Sequence, residues 1–273
     1  MTRITLCADD FGLTAAACRS ILELARCGAL SATSCCVDGE ALPEYLDALR
    51  GLRPTLGVGL HLDLTTPRPQ APHRPLRQWL LATTLHLPSS HGRAALARLD
   101  AEIDRQFDRF ETLFGAAPDH VDGHEHVHQL PGIRERLIQR LQQRYGTTVA
   151  VRSTRPRRWR GPKAAVIAAL GGSALLRVAA AQGLACNTDF AGAYDLRSTE
   201  GYLQRLERWL TGMPDGGLLM CHPETGADAL PARRHEHQVL ASAQWQQLRT
   251  RLDVTLAPRW GADRGRLAEG HAA

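Results

Sequence analysis

Four short clusters in this chain carry side chains able to do hydrolytic chemistry. They are Asp9 and Asp10 in Ala8-Asp9-Asp10-Phe11-Gly12, His61 in Gly59-Leu60-His61-Leu62-Asp63, His124, His126 and His128 after Asp122-Gly123, and His222 in Cys221-His222-Pro223-Glu224. Carboxylate and imidazole are ligands of a divalent cation that keeps an open position for water. One Asp-Asp pair alone reads as a helix cap. Several polar clusters, each directly following an apolar run, read instead as a metal-dependent hydrolase.

Each cluster suggests a role and has a plainer alternative. Neighbouring strand residues point to opposite faces, so one of Asp9 and Asp10 can bind metal while the other acts as general base. Gly12 gives the chain freedom to turn behind them. His61 lies in an apolar run, where a hydrogen-bonded core imidazole is the plainer reading, and Asp63 is placed to orient its ring. On an extended backbone His124, His126 and His128 share one side. A metal needs only three or four protein ligands, so the remainder would hold substrate or shape the site. An exposed histidine patch is the alternative there. His222 is placed to protonate a leaving amine, against a loop histidine fixed by Pro223. Arg152 ends a strand and can pair with Asp9 to keep it ionised, or serve only as a structural ion pair.

The elements that position these groups alternate. Short apolar runs at 3–8, 32–37, 56–61, 118–122, 148–152, 184–188 and 217–221, with a weak one at 253–257, predict strands. Helical patterns lie between most of them, the clearest at 92–114, 131–144, 163–182, 198–212 and 236–252. A helix at 14–27 is bounded by Thr14 as N-cap and Gly28 beyond its end. Such alternation means a parallel sheet with crossover helices. Asp9, Asp10, His61, Asp122, His124, Arg152, Asp189 and His222 all fall at strand C-terminal ends. In a barrel those ends converge on one mouth, whereas an open sheet gathers only the groups near its switch point. The expectation is a single-domain α/β barrel of about seven parallel strands over 1–260. The stretch 65–88, rich in Pro and His, reads as a long loop over the mouth, and 261–273 as a flexible tail.

Composition limits the function classes. Hydrophobic residues make up 44% of the 273, enough for a substantial core. The net charge is +5, but Lys163 is the only lysine, and most arginines sit in helices beside acids. That is the pattern of a solvated helix face with close ion pairs and not of a nucleic-acid surface. Seven cysteines without a Cys-x-x-Cys pair give neither a disulfide framework nor a zinc ribbon. No secretory pattern opens the sequence, and a cytoplasmic location is expected.

The four clusters, in this order and spacing from residue 3 to about 224, resemble the YdjC-like carbohydrate deacetylases, the ChbG/HpnK family. The resemblance implies a distorted TIM-like barrel, a divalent metal (usually magnesium, with zinc or another ion as alternatives) and removal of N-acetyl groups from amino sugars. Carried over by position, it assigns Asp10, His61 and His124 to the metal and Asp9 to the base. His222 is then the acid and Arg152 the partner of Asp9, while His126, His128 and Asp189 are expected to hold substrate. The resemblance also implies a homodimer. A metal-dependent phosphoesterase or amidohydrolase, or a non-catalytic sugar-binding protein, is the alternative. An amidohydrolase would prefer His-x-His after the first strand, and a relict binder would have lost a ligand.

One segment stands apart. Arg152, Arg155, Arg157, Arg158, Arg160 and Lys163 surround Trp159 and lead into the nearly apolar run 164–181. It reads as a surface loop followed by a barrel helix, or as a peripheral membrane contact at the inner face. The region is more similar to the hopanoid-associated branch of the family than to the chitooligosaccharide branch. The expected substrate is therefore a lipid-linked N-acetylhexosamine, with soluble chitooligosaccharide as the alternative.

Overall fold

The structure is a computed structural model that describes residues 1–68, 73–84, 90–196 and 201–260. Among the described residues eight strands form one parallel sheet: β1 Thr2–Phe11, β2 Ala32–Cys35, β3 Gly57–Leu62, β4 His120–Gly123, β5 Ala150–Val151, β6 Phe190–Ala191, β7 Gly217–Cys221 and β8 Val254–Leu256. Their order is β5-β4-β3-β2-β1-β7-β6, and a parallel bridge from Val151 to Cys186 joins the two ends. The seven strands thus curl in chain order into a half-barrel, consistent with a distorted TIM-like barrel. β8 is an addition that pairs with Thr2–Ile4, below the point where β2 joins at Cys7.

The strand sequences explain this arrangement. β1 is buried on both faces from Ile4 onward, as expected where helices cover a parallel sheet. The covering helices include α1 Ala15–Arg26, α2 Leu42–Leu52, α3 Leu76–Thr84, α4 Ser90–Phe114 and α5 Ile133–Tyr145. They continue with α6 Pro162–Ala169, α7 Gly172–Ala181, α8 Tyr202–Leu210, α9 Pro231–Leu240 and α10 Ala243–Arg251. Thr14 caps α1 as expected, its Oγ1 accepting a hydrogen bond from Ala17 N at 3.0 Å. All seven cysteines are free.

Several expected elements differ. The run 184–188 contributes only the bridge at Cys186, and the paired strand lies later, at Phe190–Ala191. The stretch 65–88 is not all loop, because α3 occupies part of it and buried Trp79 donates from Nε1 to Leu64 O. The expected helix at 163–182 is two helices, bent by 45° about Gly171. That residue has φ 141° and lies so close to Gln129 O that a side chain would collide with it. The pattern at 236–252 likewise divides into α9 and α10, with Ser242 capping the second. α2 went unrecognised in the pattern. The expected tail at 261–273 lies outside the described residues.

Candidate active site

The site begins with a defect in β1. Ala8 pairs with Thr33 and Phe11 with Cys35, so three steps on β1 oppose two on β2. This bulge contains both aspartates, and Asp10 takes a left-handed conformation at φ 69°. Asp tolerates that region better than most residues, and bulges beside active sites re-aim side chains. The aspartates' directions are therefore set by a bulge and not by the simple strand alternation expected from sequence. Gly12, at φ 97°, completes the turn.

Asp10 stands where three elements meet. Its Oδ1 faces His61 Nε2 at 3.5 Å and His124 Nδ1 at 3.1 Å. Its Oδ2 accepts a hydrogen bond from Arg233 Nη2 at 3.1 Å. Asp10 and His61 are buried, whereas the His124 side chain is 24% exposed and His222 19%, which marks the open side of the site. Burial opposes charge on Asp10, but hydrogen bonds from His124 and His61 hold its carboxyl well below the usual range. Burial likewise opposes charge on His61, yet the Asp122 and Asp10 carboxylates outweigh it and raise that ring well above its usual value. His124 is raised by the Asp10 hydrogen bond against the same penalty.

Behind His61 stands a residue whose role the sequence did not disclose. His61 and Asp122 are register partners on β3 and β4, and His61 Nδ1 lies 2.6 Å from Asp122 Oδ1. A carboxylate on Nδ1 fixes the tautomer that leaves Nε2 free to ligate. Asp63, expected to do this, instead turns inward on its own loop, its Oδ1 accepting from Thr65 N and Thr66 N.

Asp9 points to a second, fully buried group. Both its oxygens meet the Arg152 fork at 2.6 Å, and Arg152 Nη2 also contacts Asp122 Oδ2 at 2.5 Å. Arg152 is entirely buried and bridges Asp9 and Asp122. His222 Nε2 lies 4.0 Å from Asp9 Oδ2. Burial lowers the His222 pKa, with Asp10 and Asp9 opposing. The His222 amide is anchored by donation to Glu236 Oε2 at 2.5 Å, and Tyr194 OH donates to Glu236 Oε1 at 2.7 Å. Burial pushes Glu236 up to about 7. Arg233 and Glu236, both on α9, had no sequence signal beyond a polar helix face.

The remaining expected residues lie close by but are differently engaged. Residues His124–Gln129 form a 3-10 turn with Glu125 and His126 left-handed, so the three histidines do not share an extended face. His128 is buried and its Nε2 contacts Arg152 O at 3.0 Å; burial lowers it to about 4. His126 stacks edge-on against Phe190, and burial lowers it well below its usual range. Asp189 accepts from Arg157 N and Phe190 N through Oδ1 and pairs with Arg160 through Oδ2. Both its oxygens are thus committed to anchoring the loop after β5.

The donor atoms of Asp10, His61 and His124 lie within 4.8 Å of one another, as do those of Asp9-His61-Asp122 and Cys7-His120-Asp122. The first set fits a cation best, because Arg233 meets only Oδ2 of Asp10 and leaves Oδ1 facing both imidazoles. The Arg152 guanidinium already lies against Asp9, Asp122 and Cys7, bringing positive charge to the other two. A carboxylate with two imidazoles, one backed by its own carboxylate, is the donor chemistry of a divalent site.

The YdjC-like protein family model matches residues 3–251. The chain belongs to this family. A chitooligosaccharide deacetylase of Serratia marcescens is 31% identical over 226 residues, covering 79% of each chain. One from Enterobacter sp. (strain 638) is 40% identical over 127 residues, 46% of this chain and 50% of the relative. A carbohydrate deacetylase of Mus musculus is 32% identical over 148 residues, 51% of this chain and 47% of the relative. The chain therefore spans about half the length of the Enterobacter and mouse relatives. A crystal structure from Enterococcus faecalis V583, of a protein named for cellobiose-phosphate cleavage, superposes with a TM-score of 0.66 at 21% identity. It covers 94% of this YdjC-like chain and 97% of its own, which shows a shared fold.

Proposed function

We propose that this YdjC-like protein is a metal-dependent N-deacetylase that hydrolyses the acetamide of an N-acetylhexosamine in a glycan or glycolipid, releasing acetate. The observation that carries the reading is the convergence of His61 and His124 on one oxygen of Asp10, with Asp122 behind His61. The names of the Serratia and Enterobacter relatives support the substrate class.

Asp10, His61 and His124 would hold the cation, which supplies Lewis-acid polarisation of the acetamide carbonyl and acidification of water at neutral pH. Magnesium is the proposed ion by family, with zinc the other choice. The chain's own groups do the rest. Arg152 holds the Asp9 carboxylate in one orientation through its fork. Asp9 accepts the proton of the attacking water. His222, on the open side of the site and 4.0 Å from Asp9, passes the proton that Asp9 took from the water on to the departing nitrogen. The C–N bond breaks, and acetate and the free amine leave. Arg233 holds the second oxygen of Asp10, and Glu224 pairs with Arg233 at 3.4 Å. The Cys221-His222-Pro223-Glu224 segment thereby fixes both the acid and the Asp10 carboxylate.

A mass-spectrometric screen of soluble and lipid-linked N-acetylhexosamine compounds tests this. The expected result is a loss of about 42 Da, acetyl replaced by hydrogen, with stoichiometric acetate. Phosphate release from aryl phosphates without acetate release would replace the reading with a phosphoesterase.

A further inference from the structure

Between Arg136 and Thr188 the chain contains no Asp or Glu and ten arginines and lysines. The structure shows how half of these are neutralised. Arg136, Arg140 and Arg144 pair with acids of α4, Arg152 is buried against Asp9 and Asp122, and Arg160 meets Asp189. The other five, Arg155, Arg157, Arg158, Lys163 and Arg177, are exposed and have no carboxylate partner among the described residues. Four of them lie within nine residues.

The same excursion exposes apolar side chains. Trp159 is 76% exposed and Val166 on α6 is 61% exposed. Lys163 is the only charged residue of α6, whose buried side is Ala164 and Ile167. No single described helix is long and apolar enough to cross a membrane. α6 and α7 have 8 and 10 residues, about 12 and 15 Å, against a hydrocarbon core of about 30 Å. An exposed Trp and aliphatic face beside unpaired cations is the composition of a segment that lies on an anionic bilayer. A site for nucleic acid would need the cations but not the exposed aliphatic helix.

We propose that the segment from Arg155 to Arg177 is a docking surface for an anionic lipid bilayer, with Trp159 and Val166 entering the headgroup boundary between Arg155, Arg157 and Lys163. The segment leaves the barrel at Arg152, at the strand end that also carries the Asp10 cluster, so docking there brings the site's own end of the barrel toward the membrane. The inference does not depend on the deacetylase reading, because it concerns side chains outside that chemistry.

The test is co-sedimentation of the full chain with vesicles of phosphatidylcholine alone and of phosphatidylcholine mixed with phosphatidylglycerol, for wild type, R155Q/R157Q and W159S. Unchanged melting curves of the variants establish that these exposed substitutions leave the fold intact. Wild type should sediment with the anionic vesicles only, and less as salt rises. R155Q/R157Q should partition about 30-fold more weakly, the ratio equivalent to about 1 kcal/mol for each cation. W159S should lower partition by about tenfold. No sedimentation with anionic vesicles, or partition that either variant leaves unchanged, overturns the proposal. Loss with R155Q/R157Q alone, matched by binding of single-stranded DNA, would assign a generic polyanion site and overturn the bilayer as partner.

Discussion

Asp122→Asn separates the arrangement of His61 from the identity of its ligand atoms. Asp122 is fully buried, and its hydrogen-bond contacts are His61 Nδ1 at 2.6 Å, Ser34 Oγ at 2.5 Å and Arg152 Nη2 at 2.5 Å, with His120 Nε2 farther off at 3.9 Å. Asparagine is nearly isosteric but carries one acceptor and one donor group where the carboxylate carries two acceptors. If its NH2 faces Arg152, two donors oppose each other. If it faces His61, the ring must present a lone pair at Nδ1 and a proton at Nε2, the atom that faces Asp10. Either choice weakens His61 as a ligand. Loss of such an outer carboxylate typically costs 10–100-fold in metal affinity, about 1.4–2.7 kcal/mol. Arg152 retains Asp9, so the stability loss should stay below the roughly 3–5 kcal/mol of a broken buried pair. Competition against a chromogenic chelator, with Zn2+ or Mn2+ as probe, measures the affinity, and a melting curve checks folding. Ser34→Ala touches Asp122 without touching His61 and should change affinity much less. A folded Asp122→Asn protein with wild-type metal affinity would refute the role given to Asp122.

Asp9→Asn should keep metal binding but lose roughly 10²–10⁴-fold in turnover, read as acetate release, because the base is removed while the ligands remain. His222→Ala should lower kcat more than it raises KM; a change confined to KM would make His222 a binding residue. Glu236 gives a pH signature in stability. Its folded pKa, about 7, exceeds its ordinary 4.5, so between these values the folded state binds more protons than the unfolded state. Stability therefore falls as pH rises from about 4.5 to 7, by roughly 3 kcal/mol at full effect. Urea unfolding across this range should show that slope in wild type and its loss in Glu236→Gln, and equal slopes would remove the assignment.

Much of the barrel was legible because strands covered on both faces read as continuous apolar runs. The run 184–188 misled because Leu184-Ala185-Cys186 looks like the start of a strand yet makes a single bridge, while pairing proper begins at Phe190. The break at Gly171 was visible as Gly171-Gly172, but its cause, the approach of Gln129 O, is a tertiary contact. At the site, residue type and strand-end position marked the Asp9-Asp10, His61 and His124–His128 clusters, and the family resemblance singled out Asp10, His61 and His124, which the structure brings together. The three-histidine pattern failed as an extended strand because Glu125 and His126 turn left-handed, which their side chains do not announce. Asp63 drew attention by proximity in sequence. The carboxylate that orients His61 came from the neighbouring strand, through a His61–Asp122 register that no local pattern specifies. Arg233 and Glu236 were hidden for the same reason, since α9 is brought to the site by the fold.

The most direct measurement is anomalous diffraction from crystals of this protein soaked with Zn2+ or Mn2+. The account predicts one strong peak about 2.0–2.3 Å from a carboxylate oxygen of Asp10, Nε2 of His61 and Nδ1 of His124, and its disappearance in His61→Ala. An ordered ion at Cys7, His120 and Asp122 instead, with nothing between Asp10 and the two histidines, would contradict it.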